Sequence, residues 1–145
     1  MSHIFQSQLT SLVSEGTFAE LPELRITMVE GGWTWLPSLM WRLDKNWKGL
    51  RREIPWTSEP PSEYIRRHVR FTTQPIDAPP DPKHLQQIVD QLGSDDLLLY
   101  ATDYPHWHGD DDPAAGLPIP LSPERARKIM SENARAWYRL PGGEA

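Results

Sequence analysis

The sequence predicts an α/β fold built on a parallel sheet, and three observations predict it. Short runs of apolar, β-branched or aromatic residues stand at 26–29, 69–73 and 97–101, and segments with helical apolar spacing alternate with them. Strands alternating with helices imply right-handed crossovers, hence parallel pairing. The third run, Leu97-Leu98-Leu99-Tyr100-Ala101, has almost no polar atoms, as suits a strand of a parallel sheet covered on both sides.

In order, Ile4, Phe5, Leu9, Leu12 and Val13 recur at helical spacing, with Gly16 as the stop. Ile26, Met28 and Val29 mark a strand closed by Glu30-Gly31-Gly32. Thr34 is the expected cap of the next helix, with Pro37 in its first turn and an apolar face from Trp35 to Trp47. Residues 44–62 read as a long polar connection, after which Ser62 caps a short helix through Arg67. Val69-Arg70-Phe71-Thr72-Thr73 is the second strand, rich in β-branched and aromatic types. Asp81-Pro82 opens a helix with Leu85, Ile88, Val89 and Leu92 on one stripe, stopped by Gly93. After the third strand a proline-punctuated loop, 104–121, leads to a last helix opened by Ser122-Pro123 and ended by Pro141-Gly142-Gly143.

The 145 residues suffice for one domain with a single core. A net charge of −5 argues against a bulk-basic nucleic-acid binder. Cysteine is absent, which excludes disulfides, thiolate metal sites and a thiol nucleophile, and fits a cytoplasmic protein. No apolar run approaches the roughly 18 residues of a membrane span, and no signal-peptide pattern opens the chain.

At the carboxyl ends of the three predicted strands stand Glu30, Thr73-Gln74 and Asp103. Parallel strands point these ends the same way, where α/β folds place their chemistry, so the side chains can converge. Two carboxylates there can bind a divalent metal or divide into an acid and a base. Asp103 has a plainer alternative, an Asx-turn ahead of Pro105. His106 lies close enough to share the pocket of Asp103. His108 and Asp110-Asp111-Asp112 add potential ligands in the same loop, at a spacing matching no established pattern. His68 and His84 read as helix-surface positions. In segment 41–56, Arg42, Lys45, Lys48, Arg51 and Arg52 interleave with Trp41, Trp47 and Trp56. That mixture can form a single-strand nucleic-acid groove or simply be a helix with a solvated face, and the acidic chain favours the second.

Met28-Val29-Glu30-Gly31-Gly32-Trp33-Thr34-Trp35-Leu36-Pro37, followed by Trp41-Arg42-Leu43-Asp44, resembles the sixth strand and helix of amidohydrolase family 2. These are the metal-dependent TIM-barrel hydrolases and decarboxylases of the aminocarboxymuconate-semialdehyde decarboxylase type. Ala101-Thr102-Asp103-Tyr104-Pro105-His106-Trp107 is similar to their eighth strand with its metal-site aspartate. Ile129-Met130-Ser131-Glu132-Asn133-Ala134 through Tyr138 is similar to their closing helix. The resemblance implies the C-terminal part of a (β/α)8 barrel over residues 1–145, about the fifth helix to the eighth. It further implies a divalent metal, usually zinc, with Asp103 as ligand and acid/base group, Glu30 as a second ligand, and His106 beside them. The family's first-strand His-x-His pair and fifth-strand histidine have no counterpart in this chain, and Glu30 stands where many members carry histidine.

A complete barrel takes about 250 residues. The expectation is therefore a hydrolase- or decarboxylase-like segment that acts on a small molecule only within a complete barrel. The alternative is a non-catalytic partial barrel that self-associates or pairs with a complementary chain. Nucleic-acid binding through 41–56 is the third reading. Three strands alone are expected to leave both sheet edges unpaired.

Overall fold

The computed structural model describes residues 2–106 and 117–141. Its centre is a three-stranded parallel sheet in the order β1-β2-β3, with β1 at Ile26–Met28, β2 at Val69–Thr72 and β3 at Leu98–Leu99. Ile26 pairs with Val69, Met28 with Phe71, and Phe71 with Leu98. The α/β alternation read from the sequence is the observed architecture, with strands shorter than the apolar runs that announce them.

Around the sheet lie α1 (Ser2–Ser14), α2 (Thr17–Glu20), α3 (Leu36–Leu50), α4 (Pro61–His68), α5 (Pro82–Gln91), α6 (Pro123–Arg127) and α7 (Asn133–Trp137). A π-helical turn, Lys128–Glu132, joins α6 to α7 without leaving helical backbone angles, so 123–137 is one rod. The predicted caps Asp81 and Ser122 accept from the backbone N–H groups of Lys83 (2.9 Å) and Arg125 (3.2 Å).

Two boundaries differ from expectation. Trp35, not Thr34, precedes α3, and that helix runs on to Leu50, shortening the supposed 44–62 connection. Ser62 lies inside α4 instead of capping it, and Asp44 serves the end of that helix from α3. Its carboxylate accepts from Ser62 N–H (2.9 Å) and Ser62 Oγ (2.7 Å), satisfying a first-turn donor from outside.

The core joins Val69, Phe71, Leu97 and Leu98 of the sheet region to Trp33, Leu36 and Met40 around α3 and to Leu85, Val89 and Leu92 around α5. His68 belongs to this interior, which corrects its reading as a surface residue. It is 3% exposed, stacks on Phe18 at 4.7 Å, and its Nδ1 lies 2.8 Å from Leu24 O.

The last helix also corrects the expectation of two open edges. Tyr100 N–H donates to Ile129 O (3.1 Å), a carbonyl of the π-helical turn. Asn133 Nδ2 donates to Leu98 O (2.9 Å) and Asp95 O (2.7 Å). Leu97 and Leu99 turn their carbonyls toward β2, so Tyr100 and Leu98 turn theirs outward, and the helix covers that outer side of β3. At its far end Trp137 Nε1 donates to Thr27 Oγ1 (3.0 Å), with the guanidinium groups of Arg70 and Arg25 at 4.2 and 5.2 Å from its ring. Burial is the main cause that pulls the Arg70 guanidinium below its ordinary pKa; Asp96 opposes the fall and Arg25 adds to it. A groove of about 1090 Å³, with Arg25, Arg70, Asp96 and Trp137 in its walls, lies at these amino ends of the strands.

Candidate metal centre at the strand ends

Beyond Met28 the chain leaves β1 through Val29-Glu30-Gly31-Gly32. Glu30 has φ 61° and Gly32 φ 65°, so the turn passes twice through the left-handed region. Gly31 admits no side chain, because an added Cβ would lie 2.7 Å from the Phe5 ring. Trp35 Nε1 donates to Gly31 O (3.1 Å) and Trp33 Nε1 to Thr73 O (3.2 Å), tying this turn to itself and to β2.

Asp103 lies four residues beyond Leu99, also at positive φ (59°). Left-handed backbone costs an L-residue roughly 1–2 kcal/mol; Asp tolerates it through its short polar side chain, and Glu has no such compensation. Two non-glycine residues in this state, both carboxylates and both at strand exits, mark the place as constrained by its surroundings.

The Asp103 side chain is 4% exposed, and its Oδ1 lies 2.9 Å from Nδ1 of His106, whose own side chain is 58% exposed. His106 N–H donates to Asp103 O (2.8 Å), so backbone and ring of the histidine both refer to the same aspartate. The loop's side-chain turn is made by Thr102, whose Oγ1 accepts from Tyr104 N–H (3.3 Å).

Glu30, Asp103 and His106 each offer one donor atom, and the three atoms lie within 4.8 Å of one another. Around an octahedral ion with bonds of about 2.1 Å, ligands at right angles lie about 3 Å apart and opposite ligands about 4.2 Å. The Asp103–His106 separation of 2.9 Å is that of a hydrogen bond, which the Nδ1 of His106 would give up if it held the ion itself. Closing the widest separation to the opposite-ligand spacing takes up to about 0.6 Å, and Glu30 at one side of it is exposed. Two carboxylate oxygens and one imidazole nitrogen therefore fit a divalent cation.

Sequence reasoning brought all three residues to one end of the sheet. It named Thr73-Gln74 there too, both of them buried, but not Thr72, whose Oγ1 accepts from Glu30 N–H (3.1 Å) and whose only signal was a hydroxyl at a strand end. His108 and Asp110–Asp112 lie outside the described residues. His84 is exposed, as read. In segment 41–56 the indole N–H groups of Trp47 and Trp56 donate to Thr57 O and Ser14 O, both at 2.8 Å, while Trp41 is exposed. No described helix is long and apolar enough to cross a membrane.

The amidohydrolase family profile matches residues 1–140. No curated protein matches the chain. Among solved structures, an amidohydrolase of Mycobacterium avium subsp. paratuberculosis K-10 superposes with a TM-score of 0.75 at 25% identity, over 94% of this chain and 33% of its own. The 2,6-dihydroxybenzoate decarboxylase of Rhizobium matches with a TM-score of 0.72 at 23% identity, over 97% of this chain and 42% of its own. The dihydroxybenzoic acid decarboxylase of Polaromonas sp. JS666, solved with manganese and 2-nitroresorcinol, gives 0.71 at 22%, over 96% of this chain and 41% of its own. The last two likenesses are of fold. In each case the chain spans well under half of the relative, a three-strand part of a TIM barrel. With nearly its whole length under the family profile, this chain belongs to the amidohydrolase family.

Proposed function

We propose that the chain supplies the C-terminal strand ends of a metal-dependent hydrolase or decarboxylase. Glu30 and Asp103 are its metal ligands, and Asp103 with His106 is its proton-handling pair. The observation that carries this reading is the convergence of the three donor atoms within 4.8 Å at the strand exits. A divalent ion held there would act as a Lewis acid and lower the pKa of bound water. Zinc is the metal implied by the family resemblance; the oxygen-rich donor set suits manganese as well, the ion bound in the Polaromonas relative.

The chain's own groups do the rest. Asp103, nearly buried, is fixed by backbone and ring contacts to His106, and can receive a proton without changing position. His106, mostly exposed and in hydrogen-bond reach of Asp103, can exchange that proton with solvent. Tyr104 and Val29, 85% and 53% exposed beside the acids, offer apolar contact to a small ring. Together with the dihydroxybenzoate acted on by relatives, this supports a small aromatic acid as substrate. Turnover belongs to a complete barrel, whose remaining strands would complete the site.

The test is Mn²⁺ binding to the chain, followed by loss of the free-ion EPR signal, with circular dichroism to check folding. Asp103→Asn and Glu30→Gln should each bind at least about tenfold more weakly, since a ligand is lost while volume is kept. Affinities equal to that of the unaltered chain would remove both residues from the metal site.

The second reading, a partial barrel completed by self-association or by another chain, is favoured by one observation. Among the described residues, the outer side of β1 has no neighbouring strand.

A further inference from the structure

The main-chain ladder stops short of the two carboxylates, and two adjacent hydroxyls continue it. Paired residues end at Met28–Phe71 on one side of β2 and at Thr72–Leu99 on the other. Past the first, Thr72 Oγ1 accepts from Glu30 N–H (3.1 Å) and donates to Gln74 O (3.1 Å). Past the second, Thr73 Oγ1 accepts from Ala101 N–H (2.9 Å) and donates to Ala101 O (3.2 Å). A hydroxyl has one proton to give, and each of these is already committed to a carbonyl while a lone pair holds an amide. Successive strand side chains point to opposite faces, but at this strand end Thr72 reaches the exit of β1 and Thr73 the exit of β3.

We propose that Thr72 and Thr73 are positioning residues that set the separation of the two carboxylates, Thr72 through the amide of Glu30 and Thr73 through the peptide groups of Ala101, two residues before Asp103. This rests on the reading of Glu30 and Asp103 as metal ligands. Its physical basis is the left-handed backbone at both acids, a conformation that persists only where neighbours fix it. On the β1 side the Thr72 hydroxyl holds the Glu30 amide itself, beside the Trp35 bond to Gly31 O. The two sites differ in burial. Thr73 is 0% exposed and its partners at Ala101 are partly buried, so losing its hydroxyl leaves peptide groups short of a partner and also weakens the fold. Thr72 is half-buried and Glu30 exposed, so water can take over the freed amide, and the effect falls on geometry.

Thr72→Val, nearly isosteric, is therefore the decisive variant, with Thr72→Ser as its control and Thr73→Val and Thr73→Ser as the second pair. Mn²⁺ affinity is measured by EPR on the full chain beside Asp103→Asn, and thermal unfolding is followed in parallel. Expected for Thr72→Val is metal binding weakened about tenfold, the range seen when outer-shell partners of ligands are removed. Its unfolding midpoint should fall less than that of Thr73→Val, since only the Gln74 carbonyl loses a donor there, and Thr72→Ser should recover the affinity. Thr73→Val should lose both affinity and stability. Weaker binding in Asp103→Asn with unchanged binding in Thr72→Val would overturn the positioning role and leave the metal site standing. Equal binding in the unaltered chain and Asp103→Asn would overturn both.

Discussion

Glu30 and Asp103 share a left-handed backbone, at φ 61° and 59°, but differ in what holds them there. Glu30 is exposed and anchored by its amide, whereas the Asp103 side chain is 4% exposed and set against His106. Glycine adopts positive φ freely, so Glu30→Gly removes strain of about 1 kcal/mol, set against the extra freedom glycine gives the unfolded chain. Its unfolding midpoint should equal or exceed that of the unaltered chain while Mn²⁺ affinity falls; a clear drop in stability would show that the Glu30 side chain supports the fold. In a reconstituted barrel, Asp103→Asn should abolish turnover with folding nearly intact, and His106→Ala should cost less, because the imidazole is mostly exposed. Equal losses in steady-state rates would place His106 on the same footing as Asp103. Asp103 was legible in the sequence because a fully apolar run stops at it. Its backbone angle was not, since Asp and Glu carry no local signal for positive φ comparable to glycine's. The buried His68 was hidden for another reason: its partner Phe18 comes from a segment fifty residues earlier.

Among the elements, alternation and capping were readable because they are local: Asp81 and Ser122 bond to amides two and three residues on. What could not be read is how the last helix meets the sheet. The π-helical turn at Lys128–Glu132 coincides with the place where Ile129 O is taken by Tyr100 N–H, and Asn133 reaches two carbonyls of the β3 segment. Periodicity over 123–137 shows an apolar face, not an asparagine serving a strand edge. Asn133→Ala should leave Leu98 O and Asp95 O without that donor and destabilise the chain by about 1–3 kcal/mol. Chemical denaturation reads this directly, and a midpoint unchanged within error would mean that water replaces the amide at no cost.

As a whole, the molecule is a sector of a barrel with a net charge of −5. Alone, the chain should hold zinc weakly and turn over no substrate at a useful rate, since a catalytic metal site commonly takes three protein ligands and only two, Glu30 and Asp103, are proposed among the described residues. A purified monomer that keeps stoichiometric metal through dialysis and cleaves an ester or amide would contradict this. The helix lying along the outer side of β3 also gives the sheet a polarity of growth. One side is stopped by Ile129 and Asn133, and among the described residues no strand pairs with the other, at β1. Contacts that use a surface only once per copy close on themselves, whereas fibres need a donor side and an acceptor side on every copy. Strand addition between identical chains can thus join β1 to β1 and then has nowhere to continue. Light scattering across a concentration series should show a mass that levels off at no more than two chains, and Asn133→Ala, by loosening the stop, should be the variant in which larger species first form.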